Sequence, residues 1–547
     1  MKHIIPAKSQ VRLNQSDLLA NYTENEDAVP MNVVFVGGGP AGLSGAIELA
    51  RLIKKDNEAG GTLGEVEIGV LEKAENLGGH SLSGAVINPR ALKELFPELK
   101  MDDFPLRTPV SGDSVYYMTE KGQFKLPTPP TMHNKGNYVA SICEVVRWLG
   151  GKAEELGVNI FNNFPADSLL KEGMQIKGVR TTPMGLNKDG TPGAQHMPGT
   201  DITADLTIMT EGTRGTLSQA YFEWQNTSSN RPQIYALGVK ELWKTKKQPK
   251  NVIHTLGHPL PKDCFGGSWM YPMGDNLVSL GLVAGLDYKD HNLDVHVLLQ
   301  KLKTHPLFAE YLEGGELVEW GAKTIPEGGL EAVPERLHGE GILFAGDCIG
   351  LVNVPALKGI HYAMHSGILA ARTAFKALKA GDYSSNALKS FDDDLRSSYV
   401  FKDLKKVRNM RHAFKSGFYM GGMKAGLMTL TGGAFPGAGG THLEDAAEEK
   451  TTGKPPEKNI GISKVDAVYL SGNKTRDDIP VHLTVGEDVS KEMAEHYAHL
   501  CPAGVYEVQE GKLVINAPNC VDCKATDVLG PRWQPREGGS GPNYNLM

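Results

Sequence analysis

Short apolar runs alternate with longer amphipathic stretches along most of this chain, and glycine-rich turns join them. Residues 31–36 (MNVVFV) form an apolar run that stops at GGGPAG, which predicts a buried strand. Residues 43–55 (LSGAIELARLIKK) follow with helical spacing. A polar, glycine-rich loop then leads to 66–71 (VEIGVL), a second buried strand that ends at Glu72. Strand, helix, strand in this order predicts a βαβ unit. Residues 141–156 (SICEVVRWLGGKAEEL) and 360–378 (IHYAMHSGILAARTAFKAL) carry helical spacing. Between about 200 and 330, strand-like runs alternate with glycine turns (DLTIMTEG, QIYALGV, NLVSLGLVAGL), and ILFAG at 342–346 predicts another buried strand.

Two stretches break this pattern. In 105–135, Pro105, Pro109, Pro127, Pro129 and Pro130 interrupt any helix, while Val115, Tyr116, Tyr117, Met118, Phe124, Leu126 and Met132 recur between them. Residues 408–436 are rich in Met, Gly, Phe and Arg. The polar segment GTHLEDAAEEKTTGKPPEKN then predicts a linker, and from about residue 460 a small C-terminal unit begins.

Composition narrows the class. The chain has 547 residues, 40% hydrophobic and 22% charged, enough for about three or four structural units with a sizeable core. Its net charge of −7 gives no reason to expect a nucleic-acid partner. Apolar runs of the length that spans a bilayer are absent from the sequence, so no transmembrane helix is expected. The first 30 residues lack a long apolar region and carry Asp17, Glu24, Glu26 and Asp27, unlike a secretory signal or an acid-poor presequence. The expectation is a protein that is cytosolic or peripheral to a membrane facing the cytosol.

The chemistry starts at Gly37-x-Gly39-x-x-Gly42, between a predicted strand and a predicted helix. There the first glycine permits a tight turn, the second lets the backbone approach a pyrophosphate, and the third lets helix pack on strand. The helix N-terminus then stabilises the phosphate charge. A purely structural glycine turn is the alternative. Glu72 ends the second strand, where a carboxylate can accept from an adenosine ribose, although it lies 30 residues past Gly42 because of the glycine-rich insertion. Asp347, after Gly346 and ahead of a long helix, suits the ribityl chain of FAD, and so favours FAD over NAD. Thr210 to Gly215, including Gly212, resembles the middle flavin-contact turn of FAD proteins.

Six cysteines are too few for a disulfide scaffold in so long a chain, but Cys501, Cys520 and Cys523 cluster near its end. Cys520-x-x-Cys523 with a remote Cys501-Pro502 resembles a ferredoxin run, in which residue 526 would be the next cysteine. It is Thr526. Three outcomes remain open here: a [4Fe–4S] cluster completed by Asp527, Thr526 or water; a [3Fe–4S] cluster on three thiolates; or no cluster, with zinc completed by a histidine such as His499. Cys143, Cys264 and Cys348 are expected to be core residues.

The stretches VVFVGGGPAGLSGAI, GGHSLSGAVINP, YALGVKELW, CFGGSWMYPM, NVPALKGIHYAMHSGILAA, CPAGVYEV, NCVDCK and EGGSGPNYNLM together resemble the electron-transferring-flavoprotein–ubiquinone oxidoreductase family, in its bacterial type, along nearly the whole chain. The resemblance implies an α/β fold: a Rossmann-like FAD-binding domain (31–110, 135–220, 335–405) after an N-terminal extension (1–30). It implies an inserted mixed β-sheet quinone domain with membrane-contact regions (111–134, 221–334, 406–440), and a linker with a ferredoxin-like [4Fe–4S] domain (441–547). By the same resemblance, Gly266 and Gly267 approach the quinone, and Asn353, Pro355, Lys358 and Gly359 border the flavin ring. His80 sits near the flavin phosphate or ring edge, and monotopic membrane attachment falls to 115–132 and 408–436. The implied partners are an electron-transferring flavoprotein and ubiquinone or menaquinone, at the cytoplasmic face of a bacterial inner membrane. No acid–base or nucleophilic engine is expected, since the cofactors carry the electrons. Thr526, and the turn Gly346-Asp347-Cys348 where the family more often has Gly-Cys, depart from its pattern. The alternatives are an FAD-dependent isoprenoid or lipid reductase or monooxygenase, and a partner-docking adaptor with a damaged cluster.

Overall fold

The protein is described by a computed structural model covering residues 3–229, 231–437, 442–453, 455–457 and 460–547. Its larger sheet has nine strands. Seven follow in the order Asn159–Asn162, Ile68–Glu72, Val29–Val36, Asp201–Met209, Gln175–Thr181, Ala166–Glu172 and Leu19–Asn21. The first four run parallel. The long strand Asp201–Met209 changes neighbours halfway. Its first half pairs antiparallel with Gln175–Thr181, and its second half pairs parallel with Ile342–Phe344. Val33–Val36 and Ile68–Leu71 are buried throughout, as strands covered on both faces must be. The carboxyl ends of Val29–Val36, Asp201–Met209 and Ile342–Phe344 therefore lie side by side, which is where ligands bind in open α/β sheets.

The helices Pro40–Glu58 and Ile360–Ala380 pack against each other at that end. Their backbones touch: a Cβ on Gly367 would lie 2.0 Å from the Ala41 carbonyl oxygen, and one on Gly45 2.9 Å from that of Gly367. Close approach of the two helices thus fixes the first turn of Pro40–Glu58.

The second sheet has seven strands, in the order Glu316–Pro326, Tyr235–Lys244, Leu277–Gly285, Gly266–Gly274, Val252–Gly257, Asp113–Met118 and Gln123–Leu126. The proline-broken stretch thus supplies the last two strands at one edge of this sheet, Gln123–Leu126 being the edge itself. Alternation divides the sheet between two cores. Leu242, Val252, Trp269 and Tyr271 face the core of the larger sheet. Leu237, Val239, Ile253, Met270, Leu280 and Leu282 share a core with Tyr497, Leu500, Cys501, Cys520 and Cys523. The sheet is a common wall between the first domain and the C-terminal unit. That unit comprises the helices Lys464–Leu470, Lys491–Leu500 and Ala525–Leu529 and the hairpin Tyr506–Gln509/Lys512–Ile515.

Three expectations change. The N-terminal extension is not separate: Leu19–Asn21 is a strand of the large sheet, and the Gln10 Nε2–H and Arg532 Nε–H bonds, to the Asp527 and Val11 carbonyls, both at 2.9 Å, tie it to the C-terminal unit. The polar segment 440–459 is not a free linker where it is described; residues 440, 441, 454, 458 and 459 lie outside the described residues. Lys450 is fully buried and donates to the carbonyls of Leu286 (2.9 Å) and Tyr288 (2.7 Å), and Asp445 accepts from the Tyr235 N–H (2.7 Å). Finally, the helices Val295–Lys303 and Pro306–Leu312 interrupt the expected run of strands, capped by the side chains of Asp294 and His305.

Candidate functional site

The first turn after Val29–Val36 leaves no room for side chains. Gly37 has φ +116°, and a Cβ there would lie 2.4 Å from the Thr210 carbonyl oxygen. A Cβ on Gly42 would lie 2.1 Å from the Gly37 oxygen. Gly39 is different: a Cβ there would meet nothing within 4 Å, because it faces open space. The helix Pro40–Glu58 starts at Gly39 with no side-chain cap and no acidic residue in its first turn. Its N-terminal N–H groups are left for an anion. Thr210 fastens the turn from the neighbouring strand, its hydroxyl donating to the carbonyls of Val36 and Gly37, both at 3.0 Å.

Gly37, Gly39 and Thr210 line one end of a cavity of about 1520 Å³, while Gly42 packs behind them. A single small-molecule site is typically roughly 300–1,000 Å³, so this one has room for more than one ligand. Gly37, Gly39, Glu72, His80, Gly212, Asp347 and Gly359 border it near the helix N-terminus, and Gly266 and Gly267 border it deeper in. The Glu72 carboxylate accepts from the N–H groups of Gly38 (3.1 Å) and Ala74 (2.8 Å), which holds it at the strand end. Gly212 has φ +74° with open space beside it, while Glu211 turns away to cap Thr216–Trp224, accepting from the N–H of Ser218 at 2.8 Å. Gly266, at φ +151°, and Gly267 let their strand pass the oxygens of Val283 and Thr255. Asn353 does not line the cavity; its side chain accepts from the Ala356 N–H (3.1 Å) and donates to the Tyr362 hydroxyl (3.3 Å). It folds the loop from which Pro355 and Lys358 reach the wall.

Asp347 is pushed up to about 6 by burial, which Lys323 only partly offsets. A carboxyl whose pKa is higher folded than unfolded destabilises the fold as pH rises from about 4 to about 6, and this cost persists at neutral pH. Asp347→Asn should therefore stabilise the cofactor-free protein at pH 7 by about 3 kcal/mol, and by almost nothing at pH 3.5. It should weaken FAD binding at the same time. Thermal melts at the two pH values, with a flavin titration, check both.

The three C-terminal cysteines are buried and unbridged. Burial pushes the Cys520 thiol up to about 12 and raises Cys501 and Cys523 as well. Opposing it, main-chain N–H groups point at each sulfur: those of Ala503 and Val505 at Cys501, of Asp522 at Cys520, and of Ala525 at Cys523. Three converging thiols in a dry pocket, each met by backbone donors, fit an iron–sulfur centre, and a bound metal would remove the cost of ionising them. The fourth position is filled otherwise. Thr526 Oγ1 lies 3.4 Å from the Tyr506 hydroxyl. Asp527 is committed to an ion pair with Arg214 and to the Trp533 N–H (2.9 Å), so it is not a free ligand. His499 faces Asp294 and Lys464. The imidazole near the thiols is His482, whose ligand atom lies within 4.8 Å of those of Cys520 and Asp522. Cys143, Cys264 and Cys348 lie elsewhere; Cys143 is core, while Cys264 is half-buried in the cavity wall and Cys348 half-buried beside the Ala345 carbonyl.

Asp522, between the two cysteines of the C-x-x-C loop, joins this centre to the cavity. Its carboxylate accepts from Lys73 Nζ (2.7 Å), Arg536 (2.9 Å) and Trp533 Nε1 (2.9 Å), and lies 3.6 Å from His80. Burial alone would raise its pKa, but Arg536 and then Lys73 hold it well below the usual carboxylate range. Burial also keeps His80 neutral, with Lys73 adding to the effect, and both its ring nitrogens are without partners among the described residues. Lys73 follows Glu72, and Arg214 follows Gly212 within two residues, so both ion pairs run from the cysteine loop to the cavity-lining turns. Sequence reasoning missed Lys73, Arg214 and Asp522, whose partners lie hundreds of residues away.

At the other end, the cavity wall includes Thr119, Pro129 to Met132, Gly422, Ala425, Gly426, Thr429 and Leu430. The helix Phe418–Leu430 turns Met420, Met423, Leu427 and Leu430 to solvent, with Leu430 84% exposed; Phe435 in the same stretch and Phe124 in the proline-broken one are exposed as well. No helix among the described residues is long and apolar enough to cross a membrane.

Comparison with known proteins covers the same elements. A family model described as ETF-QO, ubiquinone-binding, matches residues 235–325, and one described as electron transfer flavoprotein-ubiquinone oxidoreductase, 4Fe-4S, matches 458–545. The mitochondrial electron transfer flavoprotein-ubiquinone oxidoreductase of Dictyostelium discoideum is 37% identical, with 95% of this chain and 91% of that one covered. The protein of the same name from Arabidopsis thaliana is 38% identical over 95% and 85%, and that from Homo sapiens 37% over 94% and 89%. Among solved structures, a geranylgeranyl bacteriochlorophyll reductase-like protein from Thermoplasma acidophilum superposes with a TM-score of 0.56 at 18% identity, over 77% of this chain and 95% of that one. That likeness concerns the fold alone, over about three quarters of the chain.

Proposed function

The chain belongs to the electron transfer flavoprotein-ubiquinone oxidoreductase family, and from that premise we propose that it takes electrons from a reduced electron-transferring flavoprotein and delivers them to ubiquinone or menaquinone at a membrane surface. The observation that carries this is the one cavity that runs from the dinucleotide cradle at Gly37–Gly42, past Gly266 and Gly267, to the exposed apolar helix Phe418–Leu430.

FAD and an iron–sulfur centre, when bound, supply the capacity to take electrons singly and pass them on in pairs. The chain's own residues do the rest. The bare N-terminus of Pro40–Glu58 and the flanking glycines hold a pyrophosphate, and Glu72 stands where a ribose would bond. Asp347 and the Pro355–Gly359 loop close around the other end of that cofactor. Cys501, Cys520 and Cys523 hold the metal centre, and the Lys73–Asp522 and Arg214–Asp527 pairs fix it against the cradle. Gly266 and Gly267 present bare backbone to a flat ring. Mixing the loaded protein with reduced electron-transferring flavoprotein and a short-chain ubiquinone should give quinol; flavoprotein oxidation without quinol would count against the assignment.

The membrane contact that we propose is monotopic and made by Phe418–Leu430 with the stretch around Phe124, at the cytoplasmic face of a bacterial inner membrane. Its support is the solvent-facing apolar row beside the cavity mouth, where a lipid-soluble quinone would enter. Immersing a leucine side chain contributes about 1.5–3 kcal/mol. Leu427→Glu/Leu430→Glu should therefore abolish co-flotation with phospholipid vesicles while leaving flavin content at the wild-type level. Unchanged flotation would remove this face as the contact.

A further inference from the structure

A quinone becomes a quinol by gaining two electrons and two protons, and an electron-transferring partner supplies only the electrons. The wall of the cavity next to Gly266 and Gly267 contains a set of buried polar groups that nothing above employs. On the face of the second sheet turned to the large-sheet core, Tyr271 lies one strand from His254, and its hydroxyl is 3.1 Å from His254 Nδ1. Both side chains border the cavity, and both are almost fully buried. The other ring nitrogen of His254, Nε2, is buried with no hydrogen-bond partner among the described residues. It stands 4.0 Å from Oδ1 of Asp113, on the next strand. That gap is too long for a direct bond and is one that a single water spans. Asp113 is itself held, accepting from the side-chain amide (2.7 Å) and main-chain N–H (2.9 Å) of Asn134. Lys358, from the loop after Ile342–Phe344, is the remaining charged group facing this set among the described residues.

We propose that Asp113, His254 and Tyr271 form a proton path into the quinone end of the cavity, with Tyr271 the group that protonates the quinone oxygen. The proposal rests on the quinone reading of the cavity given above. The electrons arrive by the established route. As they reach the quinone, the Tyr271 O–H bond breaks and a quinone O–H bond forms. The phenolate regains a proton from the Nδ1–H of His254, while Nε2 takes one from a water hydrogen-bonded to Asp113, and bulk solvent restores that water's proton. One proton travels this way per quinol, to the oxygen beside Tyr271, and the second oxygen, across the ring, takes its proton from solvent, so charge and protons balance. An imidazole suits this conduit if it is neutral at rest, passing a proton through without storing it. Burial first, then the Lys358 cation, keeps His254 neutral by holding its pKa down at about 4, against the opposing pull of Asp113.

The test uses the full-length protein with both cofactors, as wild type, Tyr271→Phe and His254→Gln, with two electron acceptors. Ubiquinone-1 needs protons; ferrocenium takes one electron and none. Both variants should lose about a hundredfold in kcat for ubiquinone-1, the usual size of a general-acid contribution, at unchanged KM. Ferrocenium reduction should stay at the wild-type rate, and the solvent deuterium effect on quinone reduction should change. An equal fall with both acceptors would show a structural role and overturn the path, as would undiminished quinone reduction. A wild-type protein that reduces ferrocenium but not ubiquinone-1 would instead overturn the quinone reading itself, and the path with it.

Discussion

Gly39→Val should yield a protein that folds with the wild-type melting temperature and purifies without flavin. The backbone at Gly39 is extended, with φ −85° and ψ −173°, which valine adopts readily. A Cβ there meets nothing within 4 Å in the protein itself. Glycine at this position is therefore explained by what enters the cavity, and the alternative of a purely structural turn makes the opposite forecast. An intruding side chain denies the pyrophosphate its approach to the N–H groups of the first helical turn. Losing two such charge-assisted bonds costs about 3–6 kcal/mol, more than a hundredfold in Kd. Gly42→Val is the contrast: its Cβ would lie 2.1 Å from the Gly37 oxygen, so it should unfold the turn and lower the melting temperature as well. Flavin absorbance per protein and a thermal melt separate the two. Full flavin occupancy in Gly39→Val would refute a dinucleotide in this cradle.

The second large effect concerns the metal centre. Cys523→Ser should remove nearly all iron and sulfide from anaerobically purified protein, and with them electron delivery from the partner flavoprotein. Cys523 shares the dry pocket with Cys501 and Cys520, and the charge of each raises it further once burial has done so. Only a metal compensates so many buried thiolates. Thr526→Cys should act in the other direction. Residue 526 lies in the first turn of the helix Ala525–Leu529, where the run calls for a fourth thiolate, and among the described residues its hydroxyl meets that of Tyr506. Wild-type protein is expected to lose one iron easily on mild oxidation, giving a signal in the oxidised state. The Thr526→Cys protein should hold about four irons per FAD and give a signal only when reduced. Equal iron content and identical EPR spectra in the two would show that residue 526 does not face the centre.

Much of this was legible in the sequence because it is local. Gly37, Gly39 and Gly42 act within one strand–turn–helix, and Asp347 within another, so spacing alone located them. The parallel strands showed as unbroken apolar runs because both faces are covered. The remainder depends on contacts between distant residues. His499 drew attention by lying two residues before Cys501, yet the helix Lys491–Leu500 turns it to Asp294 and Lys464, and the imidazole beside the Cys520 thiol is that of His482. His254 and Tyr271 read as ordinary members of strands, since nothing in either strand shows that pairing sets them face to face. Lys450 stood in a polar stretch and looked solvated; only the fold brings two carbonyls to its ammonium.

The ion pairs of Asp522 with Lys73 and of Asp527 with Arg214, together with the core shared across the second sheet, have a kinetic consequence. Some electron-transfer chains carry one redox group on a swinging arm, and their rates then depend on how fast the arm diffuses. Here Asp522, in the loop that carries two of the three cysteines, and Asp527 just after it are ion-paired to Lys73 and Arg214, on the turns that line the cavity. Internal transfer should therefore be indifferent to solvent viscosity. Thickening the medium should slow only the encounters at the two ends, with the carrier protein and with the quinone.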